Sequence, residues 1–275
     1  MDRELVLGML ALLLCGAAMG AFGWLRAPTT TGSPLEEERT RWGAIWLPLL
    51  PAAVIFFALG GWALAEPDDA EPVPMFVLLL ALPFAILWIR ALVRAGRALM
   101  PMKHVAAATV GLVKPRVVVS PDLAAALDPM ALAAAIQHET AHARHRDPLR
   151  IWLAQLATDL QWPWPAARRR FRSWLEALEL ARDAEARLDG VAGEDLAAAI
   201  VAAVQLSRAW TLAALDGNGV ALVRRVAALL GPLPPMNPGR RAFVPVLLVA
   251  GLLVTALVFG ATEGEPIVRT LLTGP

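Results

Sequence analysis

The sequence predicts a mostly α-helical integral membrane protein, with four transmembrane helices and one large helical domain that contains a short β element. Two observations carry this. Hydrophobic residues make up 57% of the 275 and charged residues 18%, with a mean hydropathy of +0.56, which is too apolar for a soluble globule. Four uncharged runs of spanning or near-spanning length then leave one long interval, about 148 residues between Arg94 and Arg241, a normal size for a domain with its own core. The same composition excludes disorder, and the single Cys15 excludes a disulfide scaffold. A net charge of +1 argues against nucleic acid as a partner.

Leu5 to Leu25 carries no charge over 21 residues, about the 30 Å of a hydrocarbon core. A cleaved signal peptide is the rival reading, but Met1-Asp2-Arg3-Glu4 is not basic and the apolar run is too long. Trp42 to Ala65 is the second run, with Pro48 and Pro51 near its start. Val73 to Ile89 is the third, extended to about residue 93 by Arg90 and Arg94, which can snorkel. Phe243 to Ala261 is the fourth. The expected division is therefore residues 1–93 with spans at about 5–25, 42–65 and 73–93, a domain at 94–241, a fourth span at 242–262 and a short tail at 263–275. Gly16 and Gly20 form a GxxxG that would suit close helix packing, including a dimer face. A transporter would need ionisable groups inside the spans, and the four runs hold none.

The loops set the expected orientation. Glu66, Asp68, Asp69 and Glu71 lie between the second and third spans with no base among them. Arg26, Arg39, Arg41, Arg90, Arg94, Arg97, Lys103, Arg240 and Arg241 all flank the opposite ends. By the positive-inside rule the long domain is cytosolic in a multi-pass cell-membrane protein, with the N-terminus and the C-terminal tail extracytoplasmic.

Within the long interval, Arg116-Val117-Val118-Val119 is a β-branched run bounded by Pro115 and Pro121 and reads as a strand. The rest reads as helices. Asp128-Pro129 opens one through Arg146, and Pro148 to about Trp162 is the next, for which Asp147 is the expected cap. Ala166 to Leu188 follows the Trp162-Pro163-Trp164-Pro165 break, and two Ala-rich helices, near Asp195–Leu215 and Val220–Leu230, precede a proline-rich linker. Arg168, Arg169, Arg170 and Arg172 form a basic run that suits either lipid headgroups or solvent.

His138-Glu139-Thr140-Ala141-His142 is an H-E-x-x-H on the Pro129 helix. Residues four apart sit about 40° apart around a helix, so both imidazoles can reach one zinc ion. Glu139 beside them can hold a water and take its proton as it attacks a carbonyl. By composition about three chains in a thousand would hold this pentad by chance, so it outweighs the reading of two packed core histidines. A third ligand is needed, and Glu176, Glu179, Asp183 and Glu185 on the later helix are the candidates. Glu179 and Asp183 are four apart, which suits one as ligand and the other as partner to a ligand histidine.

These residues resemble a family. Pro115 to Ser120, Leu127-Asp128-Pro129, His138 to His142, Arg146-Asp147-Pro148-Leu149, Glu179 and Asp183 together look like the M56 membrane metallopeptidases, the family of the β-lactam sensor-transducer proteases, with the M48 HtpX-type proteases sharing much of the pattern. The resemblance implies a zincin-like metallopeptidase domain holding one Zn2+ ion through His138, His142 and Glu179, with Glu139 as base and Asp183 as supporting carboxylate. It implies a zinc-dependent endopeptidase with protein or peptide substrates and the lipid bilayer as partners, acting in signal-triggered proteolysis or in membrane-protein quality control. A non-catalytic zinc-containing signalling scaffold is the competing reading, weakened because structural zinc sites favour cysteine. Family sensors carry an extracellular ligand-binding domain after the last span, whereas this sequence ends at Pro275, so antibiotic sensing is not expected of it. The chain has no Tyr, which leaves His145, His104 or Arg182 as candidates for stabilising an oxyanion.

Overall fold

The computed structural model describes residues 3–25, 32–65, 75–97, 106–210, 218–233 and 243–273. The acidic loop 66–71, Arg26, Lys103, His104, Arg240, Arg241 and most of the proline-rich linker lie outside these residues.

The described residues are mostly helical. α1 is Arg3–Phe22, and α2, Pro34–Trp46, runs through a 3-10 turn at Leu47–Leu49 into α3, Leu50–Ala65. α2 forms because Ser33 and Glu36 make a reciprocal capping box and Pro34 occupies the first turn. The second apolar helix thus begins at Pro34 rather than Trp42, and the basic residues Arg39 and Arg41, expected in a loop, are helical. α4, Met75–Arg97, keeps Pro83 inside it, and α11, Phe243–Thr273, continues through most of the expected tail. Pro34–Ala65 and Leu79–Arg97 are long and apolar enough to cross a membrane; the apolar parts Gly8–Phe22 and Leu247–Glu263 are shorter.

α3 and α11 meet closely because Gly61 lies against the backbone of Leu257 and Gly260 against that of Ala58, where a Cβ would collide. Gly16 of α1 is filled by Phe84 of α4, so this part of the GxxxG serves an intrachain contact.

The remaining described elements occupy the interval between α4 and α11. β1, Ala107–Val110, pairs antiparallel with β2, Arg116–Val119, with Thr109 opposite Val117. β2 was legible as a strand; β1 was not, since Ala-Ala-Thr-Val carries little β-branched signal. Gly111, at φ +97°, makes the turn between them, a conformation other residues rarely adopt. Then follow α5 (Pro121–Ala126), α6 (Pro129–Arg144), α7 (Asp147–Leu160), α8 (Pro165–Leu188), α9 (Gly193–Trp210) and α10 (Asn218–Leu230).

Buried apolar clusters join these helices to one another and to the apolar bundle. Ile45 of α2 packs with Ala154, Ala157, Trp174 and Leu178, which joins α7 and α8 to the apolar helices. Ala134, Ala186, Leu196, Ala197 and Leu229 join α6, α8, α9 and α10. The small side chains let these helices approach closely. Leu160, ending α7, packs against Cys15, Met19 and Ala52 of the apolar bundle. Trp152 Nε1 donates to the Ala95 carbonyl 2.9 Å away, and Arg94 pairs with Asp159 at 3.1 Å. The arginine run divides: Arg168, Arg169 and Arg172 are exposed, while Arg170 is buried. Arg170 donates to the Gly23 carbonyl at 3.1 Å and to that of Leu25, satisfying acceptors that the end of α1 leaves open.

Candidate metal centre

α6 carries the pentad, and its start is fixed by Asp128, whose carboxylate accepts from the backbone of Met130 and Ala131 at 2.9 and 3.0 Å. Its buried face is Ala131, Ala134, Ala135, His138, Ala141 and His142. The alanines bring α8 and α9 near, and the histidines turn toward α8.

Their Nε2 atoms lie 3.1 Å apart. The Glu179 carboxylate of α8 faces both, at 3.6 Å from His138 Nε2 and 3.7 Å from His142 Nε2. Donor atoms of the three residues all fall within 4.8 Å of one another. Tetrahedral zinc with bonds of about 2.0–2.1 Å separates its donors by about 3.3 Å. The three donors therefore fit one such ion, which could be seated by small side-chain movements. Glu179 is the candidate that the fold selects: Glu176 is exposed and outside the cluster, and Glu185 pairs with His145 and Arg182.

Each imidazole also has a carboxylate behind it. Asp183 Oδ1 lies 3.0 Å from His138 Nδ1, off the N–H axis and so an ion pair more than a formed hydrogen bond. Asp147 Oδ2 lies 2.9 Å from His142 Nδ1. Asp183 was expected there. Asp147 was expected only to cap α7, and that expectation is corrected. α6 ends at Arg144, Arg146 takes a left-handed φ of +53° as the residue before α7, and Asp147 becomes the first residue of α7. This reversal returns the fully buried Asp147 carboxylate to His142. Arg182 donates to both its oxygens and Arg150 to Oδ1. Burial alone would raise the Asp147 carboxyl, but His142 and Arg182 outweigh it and hold it well below the usual range.

Arg225, on α10, was missed entirely by sequence reasoning. Its Nε and Nη2 donate to the two Asp183 oxygens at 2.8 Å each, and Nη1 lies 2.8 Å from Glu179 Oε2. Burial would raise the Glu179 carboxyl, yet Arg225 and the two histidines hold it below its ordinary range. Nothing in local spacing marks Arg225, since α10 reaches the site only through packing on α8 and α9. Glu139 projects toward β1, where the Thr109 hydroxyl lies 2.8 Å from Oε2 and 2.7 Å from the Glu139 carbonyl. Arg182 is engaged by Asp147 and Glu185 through Nε, Nη1 and Nη2, and His145 is exposed with its Nε2 beside Glu185.

Two histidines on one helix and a carboxylate from a second form a group that could hold a metal ion, with a further glutamate beside them. Residues 98–229 match the family model described as BlaR1 peptidase M56, so that segment is similar to this peptidase family. No curated protein and no solved structure matches the chain.

Proposed function

We propose that the protein is a membrane-embedded, zinc-dependent endopeptidase that cleaves protein or peptide substrates at the cytosolic face. The observation that carries this reading is the convergence of His138, His142 and Glu179 on one point while Glu139, on the same helix, stays outside the ligand set. Three protein ligands leave a position for water or substrate, as in catalytic and not structural zinc sites.

His138, His142 and Glu179 would hold the ion, and Asp183, Asp147 and Arg225 would hold those ligands in place. Bound there, zinc supplies Lewis acidity to the scissile carbonyl and acidifies water. Glu139 takes the proton of the attacking water on its carboxylate and passes it to the leaving amine nitrogen. Thr109 fixes one oxygen of that carboxylate, leaving the other for the proton. The β1–β2 hairpin offers an unpaired edge on which an extended substrate can add as a strand. The contact between Thr109 and Glu139 favours β1 as the docking strand.

The proposed topology has four spans, formed by α1, α2–α3, α4 and α11. It is supported by the packing of the α1 C-terminus, α2 and the α4 C-terminus against α7 and α8, which brings the helix segments carrying Arg39, Arg41, Arg90, Arg94 and Arg97 to one end of the bundle. The deciding experiment compares Glu139→Ala with wild type in detergent with zinc, on casein and on the chain itself. Loss of cleavage is expected, and cleavage at the wild-type rate would exclude this mechanism.

A further inference from the structure

We propose that Glu38, on the helix leading into the second apolar span, is a positioning residue of the metal centre, acting on His142 through Arg150 and Asp147. Glu38 is only 5% exposed and belongs to α2, at least 100 residues away in sequence from the histidines. Its Oε1 accepts from Arg150 Nη2 and from Trp174 Nε1, the latter at 2.9 Å. Arg150 uses its other terminal nitrogen on Asp147 Oδ1 at 2.9 Å, and Asp147 Oδ2 meets His142 Nδ1. The Arg150 guanidinium is walled by two indoles, 4.6 Å from the Trp42 ring centre and 5.6 Å from that of Trp174.

A carboxylate is costly to bury and is retained only when it is paired. Glu38 does not touch the metal ligands, so its charge balances Arg150 and fixes where that guanidinium sits. Arg150 divides its fork between two carboxylates, Glu38 and Asp147. With Glu38 neutral, Arg150 is drawn wholly onto Asp147 and competes with the His142 ring for that carboxylate. Because α2 continues into α3, the orientation of a metal-binding ring is tied to a helix that enters the membrane.

This inference rests on the zinc-site reading above, and the experiment separates the two. The full-length protein in detergent is stripped and loaded with Co2+, its visible absorption is recorded, and zinc affinity is measured by chelator competition. Glu38→Gln is expected to weaken zinc binding about tenfold and to shift the Co2+ bands. The double variant Glu38→Gln/Arg150→Met should show less than the sum of the two single effects, because both act along one path. Unchanged affinity and spectrum in a folded Glu38→Gln protein would overturn the proposal. Should that variant not fold, Arg150→Lys keeps the charge without the fork and is held to the same two readouts. Failure of the wild type to bind Co2+ at all would instead remove the metal site itself.

Discussion

The Nδ1 of His142 and the Oδ2 of Asp147 lie 2.9 Å apart across a helix break, five residues along the chain. One carboxylate thereby serves a histidine on one side and two arginines, Arg150 and Arg182, on the other. Replacing Asp147 by Asn removes the charge that both arginines share at a fully buried position. Breaking such a pair costs about 3–5 kcal/mol, and loss of a histidine's outer partner weakens metal binding about 10–100-fold. Thermal unfolding and chelator competition on Asp147→Asn should show both losses together. A variant that unfolds earlier yet binds zinc normally would reduce Asp147 to a structural role.

Metal uptake should depend steeply on pH. In the metal-free protein burial lowers the affinity of His138 for a proton, but Asp183 and Glu179 more than reverse this and raise its pKa to about 9. A metal must displace that proton. Zinc affinity should therefore rise about tenfold per pH unit below about pH 9 and level off above it. The linked stability has the opposite course. The folded pKa exceeds the unfolded value of about 6.5, so this contribution is full below about pH 6.5 and is lost as pH rises through about 9. Unfolding temperatures in chelator between pH 6 and 10 check the sign; a transition that rises over this range would contradict it.

Arg225 joins the last domain helix to the centre, and its guanidinium is the cation shared by Glu179 and Asp183. In Arg225→Gln the two carboxylates face each other without that charge, and Glu179 is freed to move away from the histidines. Zinc affinity should fall about 10–100-fold, and Arg225→Lys should recover only part of it, because an ammonium cannot span both carboxylates as a fork does. Equal affinity in Lys and Gln variants, both at the wild-type level, would show that the ligands are held without it.

The site was partly legible because helical spacing is a local property. His138 with His142, and Glu179 with Asp183, are each one turn apart, so the sequence alone places each pair on one face. What escaped depends on chain reversals and on packing between distant helices. Asp147 reaches His142 only because Arg146 adopts a left-handed conformation, which no glycine announced. Glu38 arrives from α2, which precedes the second apolar helix, and Arg225 from α10, brought in by cores that α2 and α10 share with α8. The apolar runs revealed the long helices but not their ends, because the charged Pro34–Arg41 segment continues the second run as a capped helix. β1 was obscured by its alanines and is held by pairing with β2.

Thr109 supplies the last test, at the base itself. Its hydroxyl has one proton and two acceptors within reach, the Glu139 carboxylate at 2.8 Å and the Glu139 carbonyl at 2.7 Å. Oriented on the carboxylate, it restricts Glu139 to the rotamer in which the other oxygen can meet a water. Thr109→Val keeps the shape and removes the donor. A hydrogen bond to a charged group contributes about 1.5–3 kcal/mol, so kcat should fall about 10–100-fold if the bond matters fully in the transition state. KM and zinc content should hold, since an added strand would pair with the β1 backbone, which Thr109→Val keeps, and no ligand donor is touched. Thr109→Ser restores the hydroxyl and should restore most of kcat. The split between the two variants is decisive: a loss shared equally by Val and Ser would trace to strand packing, whereas a loss confined to Val assigns it to the hydroxyl.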